Sequence, residues 1–133
     1  MRVFSRFISV VLLLVLIVSA AALEPAAVAR NAVDLLVAQK YTELRKMLNK
    51  AMQETLTEDI LRTRVAKLMN ELGKPQSFDA PDVHKIQDVT VVVMRGHFAQ
   101  GALDFQVSVD SKGKIAGLYF RDPERKPEPA AYN

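Results

Sequence analysis

The sequence predicts an α+β domain in which three helices pack on one face of a mainly antiparallel sheet of about four strands. Hydrophobic residues follow helical spacing up to Gly73 and strand-like spacing after it. Gly73 and Pro75 separate the two halves, because glycine readily ends a helix and proline cannot continue one. The motif DSKG at 110–113 is a strong hairpin signal within the second half.

The predicted helices occupy most of the first half. The first spans 26–40 and carries an apolar stripe at helical spacing. The second spans 42–52, with Thr42 as the expected N-cap. The third begins after Thr57 and ends at Gly73. Each segment is amphipathic, so each has one side to bury against the rest of the domain.

Four segments of the second half have strand-like patterns. The spacing predicts a short strand at 76–78 and a β-branched strand over 85–95 that is apolar on both faces. The segment 102–110 alternates between apolar and polar residues, so we expect one buried face and one solvent-facing face. The last strand, 114–120, returns from the hairpin, whose turn requires Gly113 in the left-handed conformation.

Charge and cysteine content exclude several classes of protein. The formal net charge is +3, but removing Arg2 and Arg6 from the 18 basic residues leaves 16 against 15 acidic ones. The remaining charges are interspersed, which is not the pattern of a nucleic-acid-binding protein. The chain has no cysteine, so disulfides, thiol catalysis, cysteine-ligated zinc and a lipid-modified cysteine are all excluded.

The first residues have the pattern of a secretory signal peptide. Arg2 and Arg6 form a basic region, 7–18 is an apolar run interrupted by one serine, and small residues follow it. We expect cleavage between Ala22 and Leu23. An uncleaved anchor is the alternative, but the apolar run is shorter than the roughly 20 residues that span a bilayer.

The predicted organisation is a signal peptide at 1–22, one α+β domain at 23–121 and a disordered proline-rich tail at 122–133. We expect a product that is soluble after removal of the signal peptide, either periplasmic or secreted. Contact with a membrane is then expected only transiently, through the signal peptide.

The segment 101–121, GALDFQVSVDSKGKIAGLYFR, resembles the closing hairpin of a bacterial secreted family called domain of unknown function 3887. Stretches at 39–41, 56–61 and 72–74 extend the resemblance over nearly all of the chain after the signal peptide. The family in turn resembles the cone-shaped fold of nuclear transport factor 2 and ketosteroid isomerase, which the resemblance implies for this chain. It implies no catalytic residues, and family members occur alone or before a hydrolase domain.

Three residues are weak candidates for catalysis. His97 shares a strand face with Val91 and Val93 if the strand has no bulge, and that face is then a candidate pocket side. Asp104 and Tyr119 are out of phase with the apolar faces of their strands, which favours solvent or a partner surface. An exposed or structural role is the preferred interpretation of all three.

A weak candidate metal site consists of Asp79, Asp82 and His84, which are close together in the sequence. They lie in a segment interrupted by proline, where polar residues are expected in any case, and a solvated loop is the preferred interpretation. We expect no cofactor.

These observations favour a non-catalytic binding or protein-interaction module of the cell envelope. Its expected partner is a small apolar ligand or an envelope protein, and a homodimer through the polar sheet face is a further expectation. One alternative is a small enzyme with an apolar pocket, either ketosteroid-isomerase-like or hydrolytic. Another is an accessory domain acting in trans with a secreted α/β-hydrolase.

Overall fold

The computed structural model describes residues 24–123, which form four helices followed by five strands. The helices are α1 Pro25–Val37, α2 Tyr41–Met47, α3 Lys50–Thr55 and α4 Glu58–Leu72, and the strands are β1 Pro75–Phe78, β2 Asp82–Ile86, β3 Val89–Phe98, β4 Gly101–Val109 and β5 Ile115–Arg121. The α+β class and the order of helices before sheet are confirmed. The predicted signal peptide, its cleavage point at Ala22 and Leu23, and residues 124–133 of the predicted tail lie outside the described residues.

The sheet is antiparallel and is built around β3. One edge of β3 pairs with β4 over nearly its whole length, from Thr90 opposite Val109 to Phe98 opposite Gly101. The other edge is shared, with β2 pairing near the start of β3 and β1 near its end. β5 pairs with the free edge of β4. Five strands are present in the described part of the chain, one more than the sequence predicts.

The extra strand arises because the predicted strand 85–95 is wrong at its start. The chain reverses at Gln87 and Asp88, and Ile86 pairs with Val89 across this two-residue loop. Gln87 adopts a φ of 55°, a conformation that residues other than glycine rarely adopt. The turn contains neither glycine nor proline, and a β-branched run follows it directly. The sequence therefore gives no signal that one strand ends and another begins at this point.

The predicted helix 42–52 is also wrong, because it is two helices. Leu48 is extended and buried between them, and the Asn49 N–H donates to the Ile115 carbonyl oxygen at 2.8 Å. Asn49 then caps α3 by accepting a hydrogen bond from the Met52 N–H at 2.9 Å. The contact with β5 breaks the helix, so the described region holds four helices rather than three.

Helix ends follow local chemistry in some places and tertiary contacts in others. The last helix begins after Thr57 as predicted, and Thr57 caps it, since its hydroxyl oxygen accepts from the Ile60 N–H at 3.3 Å. Gly73, with a φ of 78°, ends the same helix. Thr42 is not a cap: α2 begins one residue earlier, and the Thr42 hydroxyl donates to a carboxylate oxygen of Glu58 on α4.

The hydrophobic core lies between the helices and one face of the sheet. Its centre is Phe105 on β4, whose ring centroid is 5.9 Å from that of Phe78, 6.2 Å from that of Phe98 and 5.5 Å from that of Phe120. The buried residues that share this core include Val33, Leu36, Leu44, Leu48, Leu61, Val65, Val92, Met94, Val107, Val109 and Ile115. Between residues 24 and 123, no helix combines the length and the apolar character needed to cross a membrane.

We expect the Tyr41 phenol to make folding stability depend on alkaline pH. Burial raises the pKa of Tyr41 above 10.0, and the Arg62 guanidinium lowers it by a smaller amount. The folded chain thus holds this proton more tightly than the unfolded chain. The associated stability is complete below about pH 10 and is lost as the pH rises through the folded-state pKa.

Urea unfolding of the wild type and of Tyr41→Phe at several pH values between about 9 and 11 checks this expectation. The variant should lose less stability over that range than the wild type. Parallel losses in both proteins would contradict it.

Candidate functional site

No helix or strand of residues 24–123 packs on the face of the sheet turned away from the helices, and we call it the open face. Side chains alternate between the two sides of a strand, so the residues that alternate with the buried residues along β3 and β4 point to this side. The open face comprises Asp82, His84, Ile86, Val91, Val93, Arg95, His97, Ala102, Asp104, Gln106, Ser108, Tyr119 and Arg121. Val91 and Val93 are half-buried at its centre, while Tyr119 is 57% exposed and Ile86 59% exposed.

A row of four charged residues crosses the open face, with the sign changing at each step. Arg95 lies opposite Asp104, and Asp104 lies opposite Arg121. Asp79 completes the row, since its N–H donates to the Arg95 carbonyl oxygen at 2.9 Å. The order is therefore Asp79, Arg95, Asp104, Arg121, and we call this set the charge row.

The pair at the centre of the charge row is bidentate. Arg95 donates from Nε to Asp104 Oδ1 at 2.8 Å and from Nη2 to Asp104 Oδ2 at 3.1 Å. The hydrogen bonds and charge of Asp104, with a smaller contribution from Asp79, raise the pKa of Arg95 above its ordinary value. Asp104 is only 17% exposed although it lies on an uncovered face, because Arg95 covers it.

All three weak catalytic candidates lie on the open face. The pairing of β3 with β4 has no bulge, so His97 shares a face with Val91 and Val93 as the sequence predicts. That face is the one turned away from the helices. The His97 Nε2 lies 2.9 Å from Asp79 Oδ1. Asp104 and Tyr119 also point away from the core, as the phase of their strands predicts.

A family model described as Protein of unknown function (DUF3887) matches residues 29–118. The chain belongs to this family. The match runs from α1 into β5, so it includes most of the open face. No curated protein matches the chain, and no solved structure matches it.

In this DUF3887 domain, the three residues of the candidate metal site, Asp79, Asp82 and His84, do not come together. The His84 Nε2 lies 2.9 Å from Asp82 Oδ2, at the exposed edge strand β2. Asp79 is paired with His97 instead. Within residues 24–123, no group of three or more histidines and carboxylates is arranged to hold a metal ion.

One void inside the DUF3887 domain lies between the helices and the sheet and is too small for a ligand of ordinary size. The void between α1, α4 and the sheet, lined by Leu36, Met69, Phe98 and Phe105 among others, measures about 10 Å³. Ligand pockets measure roughly 300–1,000 Å³. No charged side chain is buried among the residues that the structure describes. A ligand of ordinary size would therefore enter this void only if the core side chains that line it moved.

Sequence reasoning did not find the charge row. Asp104 and Asp79 are candidates for other roles in the sequence, and no pattern in the sequence distinguishes Arg95 or Arg121. The four residues come from separate segments, and the register of three strand pairings brings them into line. Aligning the predicted strands at their hairpin loops is the one sequence signal that would place Arg95 opposite Asp104.

Proposed function

We propose that this domain is an exported, non-catalytic protein-interaction module of the cell envelope that acts as a homodimer through its open face. The observation that carries the proposal is the open face itself, where half-buried valines lie beside exposed Tyr119 and the charge row. An antiparallel sheet commonly exposes one face to solvent. Here, however, apolar side chains lie beside paired charged ones, and this combination is better suited to contact with another protein than to contact with water.

The charge row supports a second copy of the chain as the partner. Read across the sheet, its charges are negative, positive, negative, positive. A two-fold axis parallel to the strands and midway between β3 and β4 reverses this order on the facing copy. Each carboxylate then faces a cation: Asp104 faces Arg95 of the other copy, and Asp79 faces Arg121. The row is thus complementary to itself.

The size of the open face also supports this partner. The sheet is four strands wide at about 4.8 Å per strand, and its longest strand has ten residues at about 3.3 Å each. The face therefore covers roughly 600 Å², near the roughly 800 Å² that each partner buries in a stable interface. A second copy would cover Val91, Val93 and Tyr119 together with the charge row.

Charge reversal at the ends of the row tests the proposal. Asp79 and Arg121 are separated by three strand spacings, about 14 Å, so they do not touch within one copy. Asp79→Arg and Arg121→Asp should each weaken the dimer about tenfold or more, because each places like charges opposite one another. The double variant restores opposite charges between copies and should recover the dimer.

Sedimentation of the purified protein over a range of concentrations measures the dimer. Glu71→Arg on α4 is the matched control, because it reverses an exposed charge on the helical side and should leave the dimer unchanged. Thermal unfolding checks that every variant is folded. A monomeric wild type, or a double variant as weak as the single ones, would refute the homodimer.

The finer expectations about fold and location belong to the same proposal. The basic region and apolar run at the start of the sequence support export by a signal peptide. The order of helices before an antiparallel sheet, with the helices on one face, supports a nuclear transport factor 2-like cone. A monomer that binds a secreted α/β-hydrolase through the open face would favour the accessory-domain alternative instead.

The enzyme alternative has less support than the interaction module. Ketosteroid-isomerase-like chemistry needs a carboxylate in an apolar cavity, whereas the closest candidate, Asp104, is paired with Arg95 on the open face. His97 is likewise on that face, beside Asp79. These residues are better explained as charged contacts of an interface than as an acid–base pair.

A further inference from the structure

A second surface feature lies apart from the open face, where the β4–β5 turn meets the helices. It is a groove of about 510 Å³ between the first turns of α1, the end of α2 and that turn. Lys46, Lys112 and Lys114 line it, and we call it the lysine groove. Val28 and Met47 also line it and supply apolar surface.

Hydrogen bonds fix the side chain of Lys114 and the backbone of the β4–β5 turn. The Lys114 ammonium donates to the Lys46 carbonyl oxygen at 3.0 Å, which joins the turn to the end of α2. Asp110 Oδ1 accepts from the backbone N–H groups of Lys112 and Lys114, both at 2.9 Å, which fixes the shape of the turn. Gly113, with a φ of 78°, allows that shape. The residues that line the groove include no carboxylate.

We infer that the lysine groove binds the phosphate of an anionic lipid head group at a membrane surface. Ammonium groups beside apolar surface match a molecule that carries a phosphate next to hydrocarbon. The groove also lies where α1 begins, because Ala27 and Val28 of its first turns line it. The apolar run at 7–18 precedes that point in the sequence, so the proposed export by a signal peptide would bring this end of the domain to the membrane first. The inference rests on the proposed export but not on the homodimer, and it adds a membrane contact of the domain itself to the one expected through the signal peptide.

Binding of the full-length protein to vesicles tests this inference. One set of vesicles contains phosphatidylcholine alone, and the other an equal mixture of phosphatidylcholine and phosphatidylglycerol. The measured quantity is the ratio of the two partition coefficients, so any charge-independent contribution of the apolar run cancels. The wild type should prefer the anionic vesicles, and the triple variant K46Q/K112Q/K114Q should lose roughly a hundredfold of that preference.

The matched control is K67Q/K74Q/K85Q, which removes the same charge from other exposed positions. It should keep most of the preference. Should the triple variant prove unstable because Lys114 contacts the Lys46 carbonyl oxygen, K46Q/K112Q leaves that bond in place and should still lose most of the preference.

Three outcomes would overturn the inference. The wild type could show no preference for anionic vesicles, or the control variant could lose as much preference as the triple variant. Alternatively, inorganic phosphate could shift the amide resonances of Lys112 and Lys114 while neither vesicle binds, which would make the groove a site for a free phosphate.

Discussion

Phe105→Ala should lower the free energy of unfolding by about 3–5 kcal/mol, the largest effect that we expect from a single truncation. Phe105 is fully buried on β4 and lies within 6.2 Å, between ring centroids, of three other aromatic rings. Truncation removes its own buried surface and leaves a cavity that three rings cannot refill without leaving their rotamers. The free energy of unfolding of a small domain is only about 5–15 kcal/mol, so this substitution removes a large part of it.

Urea unfolding monitored by circular dichroism measures this loss. Ile60→Ala is the matched control, because Ile60 is a large apolar residue on α4 that is 38% exposed. It should cost about 1 kcal/mol or less. Equal losses in the two variants would mean that Phe105 is not the centre of the core.

Gly96→Val should be the second most damaging change. Gly96 lies on the helix-facing side of β3, and a Cβ atom there would lie 2.9 Å from Phe78, 3.0 Å from Phe98 and 3.1 Å from Phe105. The three rings occupy the space that a side chain would need. Overpacking of this kind costs about 1–3 kcal/mol for a small addition, so we expect that loss for Gly96→Ala and a larger loss for valine.

Gly101→Ala is the control for Gly96→Ala, because its Cβ would meet only the end of the Leu72 side chain, at 3.1 Å. A double variant isolates the cause. Phe78→Leu alone should destabilise the domain, but in the Gly96→Ala background it should cost less, since it removes the closest clash. Additive losses from Gly96→Ala and Phe78→Leu would show that the clash is not with Phe78.

The open face and the lysine groove differ in how far the sequence anticipates them. The alternation of 102–110 predicts that Asp104 points away from the core, and the structure agrees. It does not predict that Arg95 covers Asp104, because that contact requires the register between β3 and β4. The sequence does not predict the lysine groove at all, because the residues that line it come from three distant segments, α1, α2 and the β4–β5 turn.

Elements whose cause is local were predicted well. The change of hydrophobic period near Gly73, the start of α4 after Thr57 and the left-handed Gly113 each depend on residues a few positions apart, and all three are present in the structure. The amino-acid sequence by itself thus determined the α+β class, most helix and strand positions, and which side of β4 is buried.

Only the tertiary structure decided the features that depend on distant residues. The break between α2 and α3 is made by the contact of Asn49 with Ile115, and the reversal at Gln87 takes a backbone conformation that its residue type does not suggest. The charge row exists because three strand pairings bring it into line. The physical reason is common to all of them: spacing along the chain governs local hydrogen bonding and burial, whereas register and packing are set by contacts between segments far apart in sequence.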